Sequence, residues 1–302
     1  MIGGTTSRVT CAGNYAAPSM RDVVLPSHQG NTFLVYMTSL THYSERMNTY
    51  ALESLRQSCP AIFADRPAPG VSDRYSFIPT HEILSPLISS GWRVTDSRSQ
   101  SRGRGGLPDP TGFHMLRLIP PGEPVPMRGG RIEACLLNSH NRTRRVTVRT
   151  GIWREVCKNG LMLPSGMATS HTRLHLSGQI TKEDVIEALT FIARDMPRVA
   201  GKVRLMEVRN LRVVEQQEFA AAALTSRYGA APPTISATAI LSSRRQVDEG
   251  DNLWVVLNRV QENIMCGCRD GDHHSRPIVS LTEQVRVNTA LWKLAEEMLA
   301  RN

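Results

Sequence analysis

A chain of 302 residues, 40% hydrophobic and 21% charged, has the length and composition of one large or two ordinary globular domains, which excludes wholesale disorder. No apolar run reaches the ~20 residues that a bilayer span needs, and residues 1–18 lack the apolar stretch of a secretory signal. Six cysteines (Cys11, Cys59, Cys135, Cys157, Cys266, Cys268) are scattered along the chain, a pattern that fits reduced thiols better than a disulfide framework. The expectation is a cytoplasmic protein with no membrane partner and no cofactor.

In chain order, residues 1–30 are rich in Gly, Ser, Pro and Asn and carry no periodicity, so they read as a flexible arm. Residues 43–57 suit a polar helix, and 65–70 suit a turn. A helix is expected from Thr80, taken as its N-cap, with Ile83, Leu84, Leu87 and Ile88 as its apolar face and Gly91 as its stop. Pro86 in its interior argues against regularity. Three strands follow, Trp92–Arg98, Phe113–Ile119 and Ile132–Leu137, separated by Gly/Pro-rich loops. Val146 and Val148 alternate with polar residues as in a fourth strand, while Ile152, Trp153 and Val156 suggest a helix closed by Asn159 and Gly160.

The second half reads as helical. Thr181 and Asp184 form a capping-box pattern, residues 215–227 and 234–245 suit helices, and Leu253, Val256, Leu257, Val260 and Ile264 follow helical spacing. A last amphipathic helix runs from Thr282 through Val285, Leu291, Ala295 and Met298. The fold class is therefore α+β: a small sheet of three to four strands with flanking helices, then a mainly helical half. The organisation expected is an arm (1–30), a basic α/β region (31–165) and a helical region (166–302) packed on it, the last two open to being one continuous domain. The helical half is expected to support the fold and carry no chemistry, with Trp254 and Trp292 buried.

The formal net charge is +9, and 32 of the 36 cationic residues are arginine. Residues 91–154 hold twelve arginines against Asp96, Asp109, Glu123 and Glu133, so one segment carries a surplus of eight and the remainder is nearly neutral. A local imbalance of that size repels itself unless an anion binds it. Arg98, Arg102, Arg104, Arg142, Arg144, Arg145 and Arg149 stand in glycine- or hydroxyl-rich surroundings that suit phosphate contacts. Trp92, Phe113 and Trp153 lie in the same segment and could stack on bases; the competing reading makes them core residues and the arginines a solvated face.

Three stretches stand out together: LLNSH (136–140) followed by GIWREVCKNGLML (151–163); QQEFAAAAL (216–224); and DNLWVVLNRVQENIMCGC (251–268) with NTALWKLAE (288–296). The combination resembles a large family of plasmid- and prophage-borne proteins that includes the YfjQ, YafZ and YubP types. The resemblance carries no activity with it. It implies a mobile-element setting, in which proteins handle DNA or blunt host defences. Two departures are visible: Cys266-Gly267-Cys268 stands where the family favours a glycine pair, and Asn141 where it favours glycine after the NSH string. The order helix, three strands, helix is also similar to the core of phage single-strand annealing proteins, an analogy of element order alone.

Other constellations were weighed against blander roles. Asn138, Ser139, His140 and Cys157 have the residue types of a thiol nucleophile site, but an Asn-Ser-His string more often caps a strand end through side-chain to backbone bonds. Cys266, Cys268, Asp272, His273 and His274 are ligand types for zinc at spacings unlike a structural site, so no metal is expected. Asn258, Gln261 and Glu262 share one helix face and read as a hydrogen-bond network that fixes the fold, or else as a polar site. Phosphate-loop, dinucleotide-fingerprint and zinc-protease motifs do not occur in the sequence. The leading expectation is a DNA-binding protein, single-stranded DNA favoured, without base specificity and open to self-assembly. The alternatives are a protein-contact inhibitor of host defence and an enzyme using His140 and Cys157.

Overall fold

Side chains alternate between two directions along each strand-forming segment from Arg93 to Met162. The computed structural model describes residues 53–72, 75–101, 106–154, 160–163, 180–229 and 235–301. Helix α1 (Thr80–Ser89) precedes strands β1 (Arg93–Ser99), β2 (His114–Ile119), β3 (Gly130–Asn138), β4 (Thr147–Arg154) and β5 (Gly160–Met162). Each strand pairs antiparallel with the next in a five-stranded meander. The helices that follow are α2 (Lys182–Val208), α3 (Val213–Tyr228), the short α4 (Ala237–Leu241), α5 (Leu253–Cys266) and α6 (Leu281–Ala300). A two-stranded hairpin, β6 (Arg269–Asp270) and β7 (His273–His274), separates the last two. The fold is α+β, and every described residue belongs to one compact unit spanning 50–302.

One face of the sheet presents Leu116, Leu118, Ile132, Ala134, Leu136, Ile152 and Leu161, all buried in the main core. Helix α2 lies across this face, and Ile192, Met196, Val199 and Val203 bury their side chains in the same core. Thr181 and Asp184 close α2 at its start with a reciprocal capping box, as the sequence suggests. Helix α5 packs behind α2, and its apolar stripe of Leu253, Val256, Leu257, Val260 and Ile264 is entirely shielded. The two halves thus share one core.

The opposite face carries a smaller cluster of Phe113, Met115, Cys135, Leu137, Trp153 and Met162, capped by Leu281 of α6. Trp153 needs two glycines beside it. A Cβ on Gly151 would sit 2.1 Å from the indole ring, and one on Gly160 would sit equally close. Arg117 covers that ring, its guanidinium carbon 4.1 Å from the ring centre, and Glu133 and Asp96 balance its charge at 2.7 and 3.2 Å.

Several expectations need correction. The sheet has five strands in place of three to four, because β4 continues through Ile152 and Trp153 where a helix was anticipated. Consecutive apolar residues suit a strand when both faces are covered; Ile152 enters the main core and Trp153 the smaller cluster. Thr80 is the first residue of α1, not its cap; Pro79 holds that position. Pro86 is accommodated inside α1 on its exposed side, where a freed carbonyl can be hydrated. The helix expected over 234–245 is confined to α4, with a single 3-10 turn at Gln246–Asp248 after it. Trp92 and Trp153 are 6% and 4% exposed, so neither is free to stack on a base. The arm, most of the polar helix over 43–57, Arg102, Arg104 and Cys157 lie outside the described residues. No helix among the described residues is long and apolar enough to cross a membrane.

Trp292 is fully buried and Trp254 keeps a 7% exposed edge, matching its place beside the α5 stripe. Trp292→Ala is expected to cost about 3–5 kcal/mol, read as a lowered urea midpoint at unchanged slope. Gly151→Ala should cost about 1–3 kcal/mol by displacing the indole. Its tryptophan fluorescence should shift to the red.

Candidate functional site

Among the described residues, the sheet's second face is covered in part, by the first half of α6. Two arginines from opposite sides of the sheet reach that helix. On β1, Arg98 stands across from Met115 and donates to Gln284 Oε1 at 2.8 Å. On β4, Arg149 stands across from Cys135 and donates to Thr289 Oγ1 at 3.0 Å. Between these tethers, Leu281 and Val285 rest on the apolar floor. Beside them two cavities open.

The first has a volume of about 490 Å³ and is lined by Arg144, Arg145, Arg149 and Arg286 over Phe113 and Leu137. The second, about 890 Å³, is lined by Arg98, Gln100, Arg276 and Ser280 and shares Phe113 and Thr282 with the first. Together they form a basic groove along the line where the helix meets the sheet.

Charge compensation within the groove is uneven. Arg286 pairs with Glu283 on its own helix, and Arg98 has Asp96 at 3.8 Å. Arg144, Arg145, Arg149 and Arg276 make no ion pair with any acid among the described residues. Arg149 is the costliest of the four. It is half-buried, its Nε has no partner among the described residues, and burial pulls its pKa down from the usual arginine range. A desolvated cation without a counter-charge is expensive, and an anion in the first cavity would relieve it.

The loop that carries Arg144 and Arg145 is held from below. Ser139 Oγ accepts from Arg144 N at 2.9 Å and donates to Arg144 O at 2.7 Å. Asn138 Oδ1 accepts from Ser139 N at 2.8 Å, and its Nδ2 donates to Ile78 O at 3.1 Å and Thr80 Oγ1 at 3.0 Å. Thr80 Oγ1 also meets His114 Nε2 at 2.8 Å and His140 Nε2 at 3.4 Å. His114 Nδ1 faces Gly112 O at 2.9 Å. A carbonyl only accepts, so His114 carries its proton on Nδ1 and its Nε2 takes the Thr80 O–H. Thr80 then accepts from Asn138 and from a His140 protonated on Nε2. Thr80, His114, Asn138, Ser139 and His140 are all buried. The Asn-Ser-His string is thus a strand-end knot that fastens α1 to β2 and β3 and sets the arginine loop. His140 faces this knot and does not line the groove.

Asn258, Gln261 and Glu262 are likewise buried, in α5. Asn258 Nδ2 donates to Trp254 O at 2.6 Å, Gln261 Nε2 to Asn288 Oδ1 at 2.8 Å, and Arg245 Nη1 to Glu262 Oε2 at 2.5 Å. The Gln261 and Glu262 bonds tie α5 to α6 and to the segment before it, while the Asn258 bond stays within α5. Cys268 is buried where the β6–β7 hairpin begins, and its N–H is accepted by Ser275 Oγ at 2.9 Å.

Residues 69–292 match the model of a family described as a domain of unknown function, DUF932. Two Escherichia coli (strain K12) proteins are similar along most of their length: UPF0380 protein YfjQ, 31% identical over 264 residues, and UPF0380 protein YafZ, 32% identical over 259 residues. Each alignment covers 82% of this chain and 91% of the relative. The chain belongs to the DUF932 family. No solved structure matches it. The matched span of this DUF932 chain takes in both cavities and every groove arginine named above.

Of the sequence-predicted basic residues, the structure brings Arg98, Arg144, Arg145 and Arg149 to the groove. Arg142 is exposed, with left-handed backbone (φ 63°), outside the cavity linings. Sequence reasoning missed the helical contribution. Arg276, Arg286, Thr282 and Thr289 come from the half expected to carry no chemistry. A signal existed: Thr282, Val285, Arg286 and Thr289 recur at i, i+3, i+4 and i+7, a mixed polar stripe beside the apolar one.

The buried imidazoles make the fold acid-sensitive. Desolvation pushes His114 down to about 4, and desolvation with the neighbouring His114 and His81 pushes His140 down to about 3. Both rings are neutral in the folded chain and titrate near 6.5 once unfolded. Their contribution is fully present above about pH 6.5 and is lost as pH falls toward those lower values. By pH 5 the loss should be roughly 2 kcal/mol per ring. Urea midpoints from pH 7.5 to 5 measure it; a flat profile would contradict the neutral knot.

Proposed function

We propose that this DUF932 protein binds single-stranded DNA without reading its sequence, in the service of a mobile element. The observation that carries the reading is the groove itself. Four arginines without acidic partners among the described residues converge there, with threonine hydroxyls and the edge of Phe113 between them. Arginine forks match phosphate oxygens, and contacts of this kind hold a strand without discriminating bases. The groove is concave and lined on both sides. Readers of duplex DNA instead insert a projecting helix or ribbon into the major groove, so the shape favours a single strand. Phe113 is the one aromatic of the basic segment that borders the groove, and at 4% exposed it is no freer to stack than Trp92 or Trp153, so phosphate neutralisation carries the binding.

A second reading, contact with a host protein, draws on a separate feature. Leu205, Val208, Val213 and Val214 are 56–76% exposed on either side of the turn between α2 and α3. The groove offers more specific chemistry, and salt separates the two readings.

With about four phosphates neutralised, log affinity for an oligothymidylate should fall with log salt at a slope of about −3, or roughly fifty-fold between 50 and 200 mM. Fluorescence anisotropy measures it. Replacing Arg144 and Arg145 by alanine should bring the slope to about −1.4 and leave the melting temperature unchanged, since both side chains are exposed. Binding with no salt dependence, or none at all, would leave the protein-contact reading.

A further inference from the structure

We infer that the first cavity is a subsite for one phosphorylated nucleotide unit, with Arg149 as the anchor of its phosphate. The inference rests on the groove reading for the kind of ligand, and goes beyond it by assigning one place in the groove to one nucleotide.

The first support is the chemistry of Arg149. The other cations of the cavity are satisfied by water or by a local acid. Arg144 and Arg145 are exposed, and Arg286 has Glu283. Arg149 projects from the middle of β4 toward α6, where its Nη1 uses Thr289 Oγ1 and only grazes Leu163 O at 3.5 Å. Its Nε is buried and without a partner among the described residues. Thr289 spends its own hydroxyl proton on Val285 O at 2.7 Å, so the hydroxyl acts as an acceptor toward Arg149 and cannot neutralise it. That Nε is shielded from the cavity, so a tetrahedral oxyanion there would compensate the charge through the part of the guanidinium that lines the space, with Arg144 and Arg145 at the rim.

The second support is the cavity's other wall. The same space has an apolar side next to the cationic one, the half-buried Val285 backed by Phe113 and Leu137, which are 4% and 3% exposed. A site for inorganic phosphate alone has no use for that wall. A nucleotide does, because a base presents a flat apolar face within reach of its own phosphate. The volume of about 490 Å³ lies within the ordinary range of small-molecule sites. The third support is depth. Arg98 and Arg276 lie in the adjoining cavity, which continues past Phe113 and Thr282, so a longer strand has somewhere to go once one unit is seated.

The unit has two sources with the same chemistry, a nucleotide within or at the end of a strand and a free nucleoside monophosphate, and the test separates them. The full chain is titrated calorimetrically at low salt with thymidine 5′-monophosphate, inorganic phosphate and thymidine. Oligothymidylates with and without a 5′-phosphate are titrated alongside. The monophosphate should bind at least tenfold more tightly than inorganic phosphate, with thymidine weaker than either. Arg149→Gln should lose at least tenfold for the monophosphate. Arg149→Lys should fall between, because it keeps the charge but not the fork, and it also guards against a folding defect in the glutamine variant.

A tenfold preference for the 5′-phosphorylated oligonucleotide places a strand end in the subsite. Equal oligonucleotide affinities, each reduced by Arg149→Gln, place an internal unit there. Monophosphate binding no tighter than inorganic phosphate, or unchanged in Arg149→Gln, overturns the subsite. If oligonucleotides still bind in that case, the groove reading survives alone. If the monophosphate binds through Arg149 while oligonucleotides do not bind, the subsite stands and the single-strand reading falls.

Discussion

A sheet that is apolar on both faces has to be covered twice, and among the described residues the second cover is half a helix. The first face is sealed by α2 and, behind it, α5. On the second, among the described residues, Leu281 and Val285 of α6 lie over a small cluster, with Gln284, Asn288 and Met265 of α5 beside them. Where the helix ends its contact, the strands still project side chains toward that side, and those side chains are arginines. Among the described residues, the groove lies where that cover stops. A fully covered face would have had to exclude or neutralise Arg149 and Arg98.

Two arginines on that face show how neighbouring context divides structure from binding. Arg117 lies over Trp153 and is held by Glu133, which is fully buried, and by Asp96. Removing either carboxylate would leave a buried charge uncompensated, which is the expensive case. Arg149 has the neighbouring strand's Cys135 opposite it and a threonine hydroxyl at its tip. Burial makes that thiol harder still to ionise, pushing it well above the usual range, so Cys135 supplies no counter-charge. The same residue type on the same face is thus closed in one place and open in the other. Cys135 stands opposite both, so the difference lies in the acids within reach: Glu133 and Asp96 meet Arg117, and no acid among the described residues meets Arg149.

How much of this the sequence disclosed depends on whether the signal was local. Helix α2 was legible because Thr181 and Asp184 announce its start and its stripe is regular. Helices α5 and α6 were legible from spacing alone. The continuation of β4 was not, because Ile152 and Trp153 are adjacent apolar residues, and only a two-faced sheet gives each a place to go. The surplus of arginine in residues 91–154 was plain, but the sum hid its division: Arg117 and Arg154 are spent on Glu133 and Asp248 inside the fold. The threonines and arginines of α6 stayed hidden for the opposite reason. They come from a nearly neutral half and acquire meaning only where that helix meets the sheet.

The buried knot links the two readings of the Asn-Ser-His string. Of the catalytic outline, His140 sits behind Thr80 with its ring 4.8 and 5.1 Å from those of Phe77 and His114, and Cys157 lies outside the described residues. As a strand-end device the string does more than close the sheet. Ser139 holds both the N–H and the carbonyl of Arg144, and Asn138 and Thr80 hold Ser139 in turn to α1. Arginine loops in water sample many conformations, and ordering one long side chain on binding costs free energy. Fixing the backbone beneath Arg144 lowers that cost and leaves its guanidinium carbon 6.0 Å from the centre of the Phe113 ring at the groove's edge. The polar residues that look most like chemistry in this sequence thus serve the groove from beneath, by deciding where its exposed cations stand.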